Sequence, residues 1–292
     1  MIKAAPLIHS RTLYCDFYPK FLARPCDMMD GQALQIKKKI LEATRSADSL
    51  QGIRWVVFRE DPCCVAGIVC FLEQLASHCQ VEEQDKEFFC DSKGRPVYAF
   101  IGAVIDGKDA GVPDFSYQTW WNWYTASVRP VWERQVVSTQ FTDYETIATA
   151  DTSLPTYEER VIGTKIGTKM VYEASEQGDE DLFYQYLQQA LQGQDVSYCS
   201  NITNFNDARQ ISYTAITTTD NIMRRLAETP SPAAATRPAA ATRPAQKKTA
   251  VSSNTLASPR PKESYAKSGK MVYVGIGLAA LLAFILYNLA KV

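Results

Sequence analysis

The chain is 292 residues long, with 46% apolar residues, 22% charged residues and a formal net charge of −1. This balance, long enough for a buried core, excludes wholesale disorder, collagen-like repeats and a polytopic membrane protein. Of that charge, 229–270 contributes +7 and Lys291 contributes +1, so the first 228 residues carry −9.

Seven of the eight cysteines fall in the first hundred residues. The opening stretch Met1–His9 lacks the apolar run of an export signal, so the thiols are expected to be reduced and mostly buried. Thr12–Tyr18 alternates as a strand does. Gln32–Arg45 places Ala33, Ile36, Ile40 and Ala43 at helical spacing, and Ile53–Phe58 is rich in strand-forming residues. Asp61 then reads as an N-cap with Pro62 at the first helical position. Val65, Ile68, Val69, Leu72, Leu75 and Ala76 continue as one apolar stripe, with Cys63, Ala66, Gly67 and Cys70 as a second face of small residues. This spacing predicts a helix over 62–76. Strand, helix, strand, helix is the order of an α/β unit.

A β-hairpin is predicted from Glu87–Cys90 and Val97–Ile105, turning through the Gly- and Pro-containing Asp91–Pro96. Further on, Ile166–Ala174 reads as a strand, Asp179–Leu191 as a helix, Val196–Ser200 and Ile211–Thr217 as strands, and Asn221–Ala227 as a short helix capped by Asp220. The predicted fold class is therefore α/β or α+β, a mixed soluble domain over 1–228, with 1–140 and 141–228 as two possible similar halves.

Composition shifts sharply at Thr229. The stretch 229–270 repeats Pro-Ala-Ala-Ala-Thr-Arg at Pro232–Arg237 and Pro238–Arg243 and offers no apolar face, so it reads as a disordered basic linker. Next to a membrane its cations suit anionic headgroups or simply set topology. With one aromatic residue, Tyr265, and an acidic domain beside it, it does not suit nucleic acid.

Met271–Ala290 is twenty residues without a charge. As a helix it extends about 30 Å, the thickness of a bilayer's hydrocarbon core. Tyr273 and Tyr287 sit near its ends, and the excess of Lys and Arg lies upstream, which places the N-terminal domain in the cytosol. The chain reads as a single-pass, C-terminally anchored membrane protein. Gly275, Ala279 and Ala283 recur every four residues, a small-residue face through which two spans can approach.

Catalytic patterns are weak. Cys63–Cys64 and His78–Cys79 are adjacent pairs, unlike the C-x2-C spacing of zinc sites, so no metal is expected. A cysteine nucleophile needs a base, and the chain has only His9 and His78. Gly163–Lys169 does not have phosphate-loop spacing and reads as a turn entering a strand. Two binding candidates remain. Arg59 and Asp61 lie where the strand ending at Phe58 gives way, an edge that binds ligands in α/β sheets, or else form an ion-paired turn. Trp120, Trp121 and Trp123 lie in a segment that, with Trp132, holds four of the five tryptophans. It reads either as core or as a partner-binding patch.

The sequence thus points to a membrane-tethered adaptor, sensor or effector whose cytosolic domain binds a protein partner or a ligand. It names no cofactor and no catalytic residue. The alternative is a membrane-tethered Cys–His hydrolase. If the small-residue face packs spans together, Gly275→Leu and Ala279→Leu abolish self-association of the isolated span in a membrane reporter assay.

Overall fold

The computed structural model describes residues 2–17, 20–106, 111–149 and 163–229. The linker from residue 230 and the apolar segment 271–290, with Gly275, Ala279 and Ala283, lie outside the described residues. No helix among the described residues is long and apolar enough to cross a membrane.

A mixed α/β domain spans 2–228. Its first strand, β1, is Ile2–Ser10, with the short β2 at Ala23–Pro25. The expected strand at Thr12–Tyr18 is not formed, and 11–17 is loop. Its aromatic residues serve another purpose: the buried Arg11 guanidinium lies 4.9 Å from the Phe17 ring and 5.4 Å from the Tyr98 ring. The true strand carries Pro6, which ordinarily argues against a strand interior. It is tolerated because the outer edge of β1 is covered in two pieces, opposite Ile2–Ala4 and opposite Ile8, and Pro6 falls between them.

Helix α1 (Asp30–Ala43) follows, burying Ala33, Ile36, Ile40 and Ala43 as its spacing predicts. Strand β3 (Arg54–Glu60) matches the expected strand. The helix expected over 62–76 is corrected: Cys63–Phe71 is strand β4, and only Leu72–Ala76 is helical, as α2. Asp61 is not a cap. It lies in the hairpin that returns β4 antiparallel to β3, with Phe58 opposite Val65. The cause is burial on both sides. Cys64, Ala66, Ile68 and Cys70 enter one core, while Val65 and Val69 enter the other. A strand apolar on both faces loses its alternation, and a helical reading fits its residues equally well.

Strand β5 (Tyr98–Asp106) is the second arm of the predicted hairpin, but it pairs with β1 and β4. The first arm is a 3-10 turn, Glu83–Phe89, joined to the segment that enters β5 by the Cys90–Pro96 bridge and the Val97 amide on the Phe89 carbonyl. Between the arms, Asp91 is a buried hub. It accepts from the Lys93 and Arg95 backbone amides and from the Arg95 and Arg11 guanidinium groups. Burial works to raise its carboxyl, but these donors outweigh it and hold it at about 2.

The remaining elements are α3 (Tyr117–Val128), β6 (Gln140–Thr142), β7 (Glu145–Ile147), β8 (Thr164–Ile166), β9 (Lys169–Glu173), α4 (Glu176–Leu191), β10 (Ser197–Ile202), α5 (Phe205–Gln210), β11 (Ala215–Thr218) and α6 (Asp220–Glu228). Gly163–Lys169 does enter a strand, through the β8–β9 hairpin at Gly167, whose φ of 62° suits glycine. Asp220 opens α6 instead of capping it.

The described strands form one sheet in the order β6-β2-β1-β5-β4-β3-β10-β11-β9-β8, with β7 on β1. Strands from 141–228 join those from 1–140 where β7 pairs with β1, and again where β3 pairs antiparallel with β10. Beyond that point β10, β11 and β9 run parallel. Helices α3 and α4 cover one face, and α1, α5 and α6 cover the other. At the sheet centre Gly67 and Gly102 lie directly opposite each other. The Phe100 ring crosses them: a Cβ on Gly102 would sit 2.6 Å from its Cζ, and one on Gly67 would sit 2.6 Å from the Gly102 Cα. Gly67→Ala and Gly102→Ala are each expected to lower the unfolding free energy by about 1–3 kcal/mol. Gly31→Ala, at an open position in the first turn of α1, is expected to raise it by up to about 1 kcal/mol. Urea denaturation of the three variants checks both signs.

Candidate functional site

The switch from antiparallel to parallel pairing creates a crevice. β9, β11 and β10 point their carboxyl ends to one edge, and β3, being antiparallel to β10, starts at that edge. Ligands in open α/β sheets bind at such carboxyl ends, where the strand order reverses. Here a cavity of about 410 Å³ opens between the entry to α4, the start of β3, the end of α2 and the start of α3.

Helix α4 supplies the central group. Ser175 is its N-cap and accepts from the Gly178 amide at 3.2 Å. The buried stripe of the helix is Asp179, Leu182, Phe183, Tyr186, Leu187 and Ala190. Asp179 occupies the first position of that stripe, where an apolar residue is expected, and so is carried onto the sheet. It is 5% exposed. The Ser200 hydroxyl accepts the Trp55 amide at 2.8 Å, and the Thr217 hydroxyl accepts the Asn201 amide at 2.8 Å. Each hydroxyl therefore turns its own proton to the Asp179 carboxyl, and the Ser175 amide adds a third donor at 3.4 Å. Burial raises Asp179 to about 6 against these three donors.

The opposite wall is aromatic. The Trp55 and Tyr117 rings lie 5.8 Å apart, and His78 stacks on Tyr117 at 4.6 Å. Burial, together with the charges of Glu180 and Glu176, pushes the Tyr117 phenol up to about 12. Glu180 is itself raised, by burial and by Asp181, with His78 opposing. Asn201 lines the rim at a φ of 53°, its carbonyl held by the buried Arg54 at 3.0 Å. That guanidinium also binds the carbonyls of Ala43 and Arg45, which ties the end of α1 to this edge.

The residues singled out from sequence lie elsewhere. Arg59 and Asp61 are at the far end of β3, in the β3–β4 hairpin. Arg59 pairs with Asp61 at 2.7 Å and donates to the Ala190 carbonyl at 3.3 Å, closing the last turn of α4. They form the ion-paired turn, in a hairpin where a helix was expected, and Arg59 also lines a cavity of about 350 Å³ beside Cys63 and Cys64. Trp120, Trp121 and Trp123 are 0%, 2% and 6% exposed, and Trp120 packs on Phe115 at 4.4 Å. They are core and present no patch to a partner. The sequence reading missed Asp179, Ser200, Thr217 and Trp55, and it singled out the segment that begins at Tyr117 for its tryptophans. Asp179 did leave one signal, a carboxylate in line with an apolar helical stripe.

The thiols are poorly suited to nucleophilic attack. Burial raises Cys64 and Cys199 to about 12 and Cys79 to about 11, and pushes Cys70 up as well. Cys15 donates to the Gln135 carbonyl at 3.0 Å. Among the described residues no three His, Cys, Asp or Glu side chains converge as metal ligands would.

No protein-family model matches this chain, and comparison with curated proteins and with solved structures finds no match either. The site must therefore be read from its own chemistry.

Asp179 makes a definite prediction. Its folded-state carboxyl is raised from 3.8 to about 6, so folding favours the neutral acid. The associated stability is fully present below the unfolded value and is lost as pH rises through 4 to 6. Relative to Asp179→Asn, the wild type is expected to lose about 3 kcal/mol over that interval. Paired urea titrations at pH 4 and pH 7 measure the difference, and equal shifts in both proteins would refute the assignment.

Proposed function

We propose that this protein is a membrane-tethered sensor: the α/β domain of 2–228 is a cytosolic ligand-binding head, and Met271–Ala290 anchors it to the bilayer by a single C-terminal span. The observation that carries the ligand reading is the crevice at the carboxyl edge, with a buried carboxyl, oriented hydroxyls and aromatic walls converging on a cavity of about 410 Å³. Pockets of that size with a few convergent polar groups and a perturbed titratable residue are the usual places for small molecules. The anchoring rests on sequence: an uncharged segment of twenty residues flanked upstream by Lys and Arg. The raised thiols weigh against a cysteine hydrolase. In this reading the basic linker holds the acidic head near anionic headgroups, and occupancy of the crevice is passed to a protein partner or to a second copy through the spans.

Alkaline carbonate extraction of cells expressing the full chain tests the anchor. The full chain stays in the membrane pellet, and a chain ending at Glu228 moves to the supernatant. Protease added to sealed membrane vesicles whose cytosolic face is outward degrades the head. A soluble full chain, or a protected head, would overturn the proposed topology.

A further inference from the structure

The crevice is unbalanced in charge. Glu176 and Asp179 line it, and the charges of Glu180 and Glu176 act on Tyr117. Among the described residues that line it there is no lysine or arginine, and His78 is the one basic side chain. Arg54 is close in sequence to the wall, but its guanidinium is committed to the carbonyls of Ala43, Arg45 and Asn201. A carboxylate taken out of water without a counter-charge is costly, and a bound cation removes that cost.

Two of the amides that could take an anion are already occupied. At the start of α4 the Gly178 amide is held by the Ser175 hydroxyl, and the Ser175 amide points to Asp179. The carboxylates would also repel a phosphate. The walls suit a cation carried on an organic skeleton instead. Trp55 and Tyr117 line the cavity, and aromatic rings attract ammonium and guanidinium groups. The cavity of about 410 Å³ is larger than a bare metal ion needs.

We propose that the crevice binds a small organic cation, an amine or guanidine, with its nitrogen directed to Asp179 and Glu176 and its carbon skeleton laid against Trp55 and Tyr117. This rests on reading the crevice as the ligand site and adds the chemical class of the ligand.

The test uses the purified full chain in detergent and ligand-observed NMR with five probes. Three are cations: tyramine, tryptamine and agmatine. Two share the tyramine skeleton: 4-ethylphenol, which is uncharged, and 3-(4-hydroxyphenyl)propionate, which is an anion. At least one amine is expected to bind, about tenfold or more tighter than the uncharged and anionic probes, and Asp179→Asn is expected to weaken it by a similar factor. Circular dichroism confirms that Asp179→Asn is folded. The exposed Glu176→Gln, which disturbs no core contact, is expected to weaken the amine about threefold and so gives a second readout. If amine binding is unchanged in both variants, the proposal is wrong. If the uncharged or anionic probe binds in a way that Tyr117→Ala abolishes while the amines do not, the cation is wrong and the crevice reading stands. If none of the five binds, both fail.

Discussion

A sheet covered by helices on both faces must be apolar on both faces, and the rest of this domain follows from that requirement. The central strands β3, β4 and β5 send alternate residues into two cores. One core, under α3 and α4, meets a cluster of small groups from β4 and β5, Ala66, Ala99, Ala103, Cys64 and Cys70, set among Ile68, Ile101 and Ile105. That leaves room for the large rings of Trp120, Trp121, Tyr124 and Trp132. The other core, under α1, α5 and α6, receives larger sheet residues such as Val56, Phe58, Phe100 and Val104. Small opposite large on each side is how dense packing is reached without strain. The glycine pair at Gly67 and Gly102 is the local extreme, where two missing Cβ atoms make the bed for one phenylalanine ring.

The site arises from the same sheet by a change of direction. Had β3 and β10 been parallel, the start of β3 would lie at the opposite edge from the end of β10. Their antiparallel pairing brings Trp55 beside Ser200, joined by a backbone-to-hydroxyl hydrogen bond. The same edge collects two of the domain's buried charges. Arg54 approaches from the α1 side and donates through its two terminal nitrogens to three backbone carbonyls. Asp179 approaches from the α4 side and is satisfied by two hydroxyls and an amide. Their fates differ because guanidinium holds its proton under nearly all conditions, while a desolvated carboxyl does not. Arg54 therefore fixes geometry, and Asp179 is left as the responsive group of the crevice.

Charge is divided along the chain in a way that suits the proposed arrangement. The head carries −9 and the stretch that follows carries +7. If the proposed anchoring holds, attraction of the linker to an anionic leaflet and repulsion of the head from it would act in opposite directions. The proposed preference of the crevice for cations would suit such a surface, since an anionic surface concentrates organic cations near it.

What the sequence determined alone is what depends on local pattern: helix α1 from its apolar spacing, β3 and β5 from their strand-forming residues, α4 and β10 to within a few positions, and the shift in composition at Thr229. It also carried the argument for an apolar span at 271–290, because twenty uncharged residues need no partner to be read. Three things were decided only by tertiary structure. β4 became a strand and not a helix because burial on both faces erases period two, and the residues themselves cannot break the tie. The tryptophans became core because only the facing helices and strands decide which side of α3 is covered. The crevice formed because β3, α2, α3, α4 and β10 meet at one sheet edge from distant parts of the chain. No spacing along a sequence records which edge a strand ends on until the pairing directions of the sheet are known.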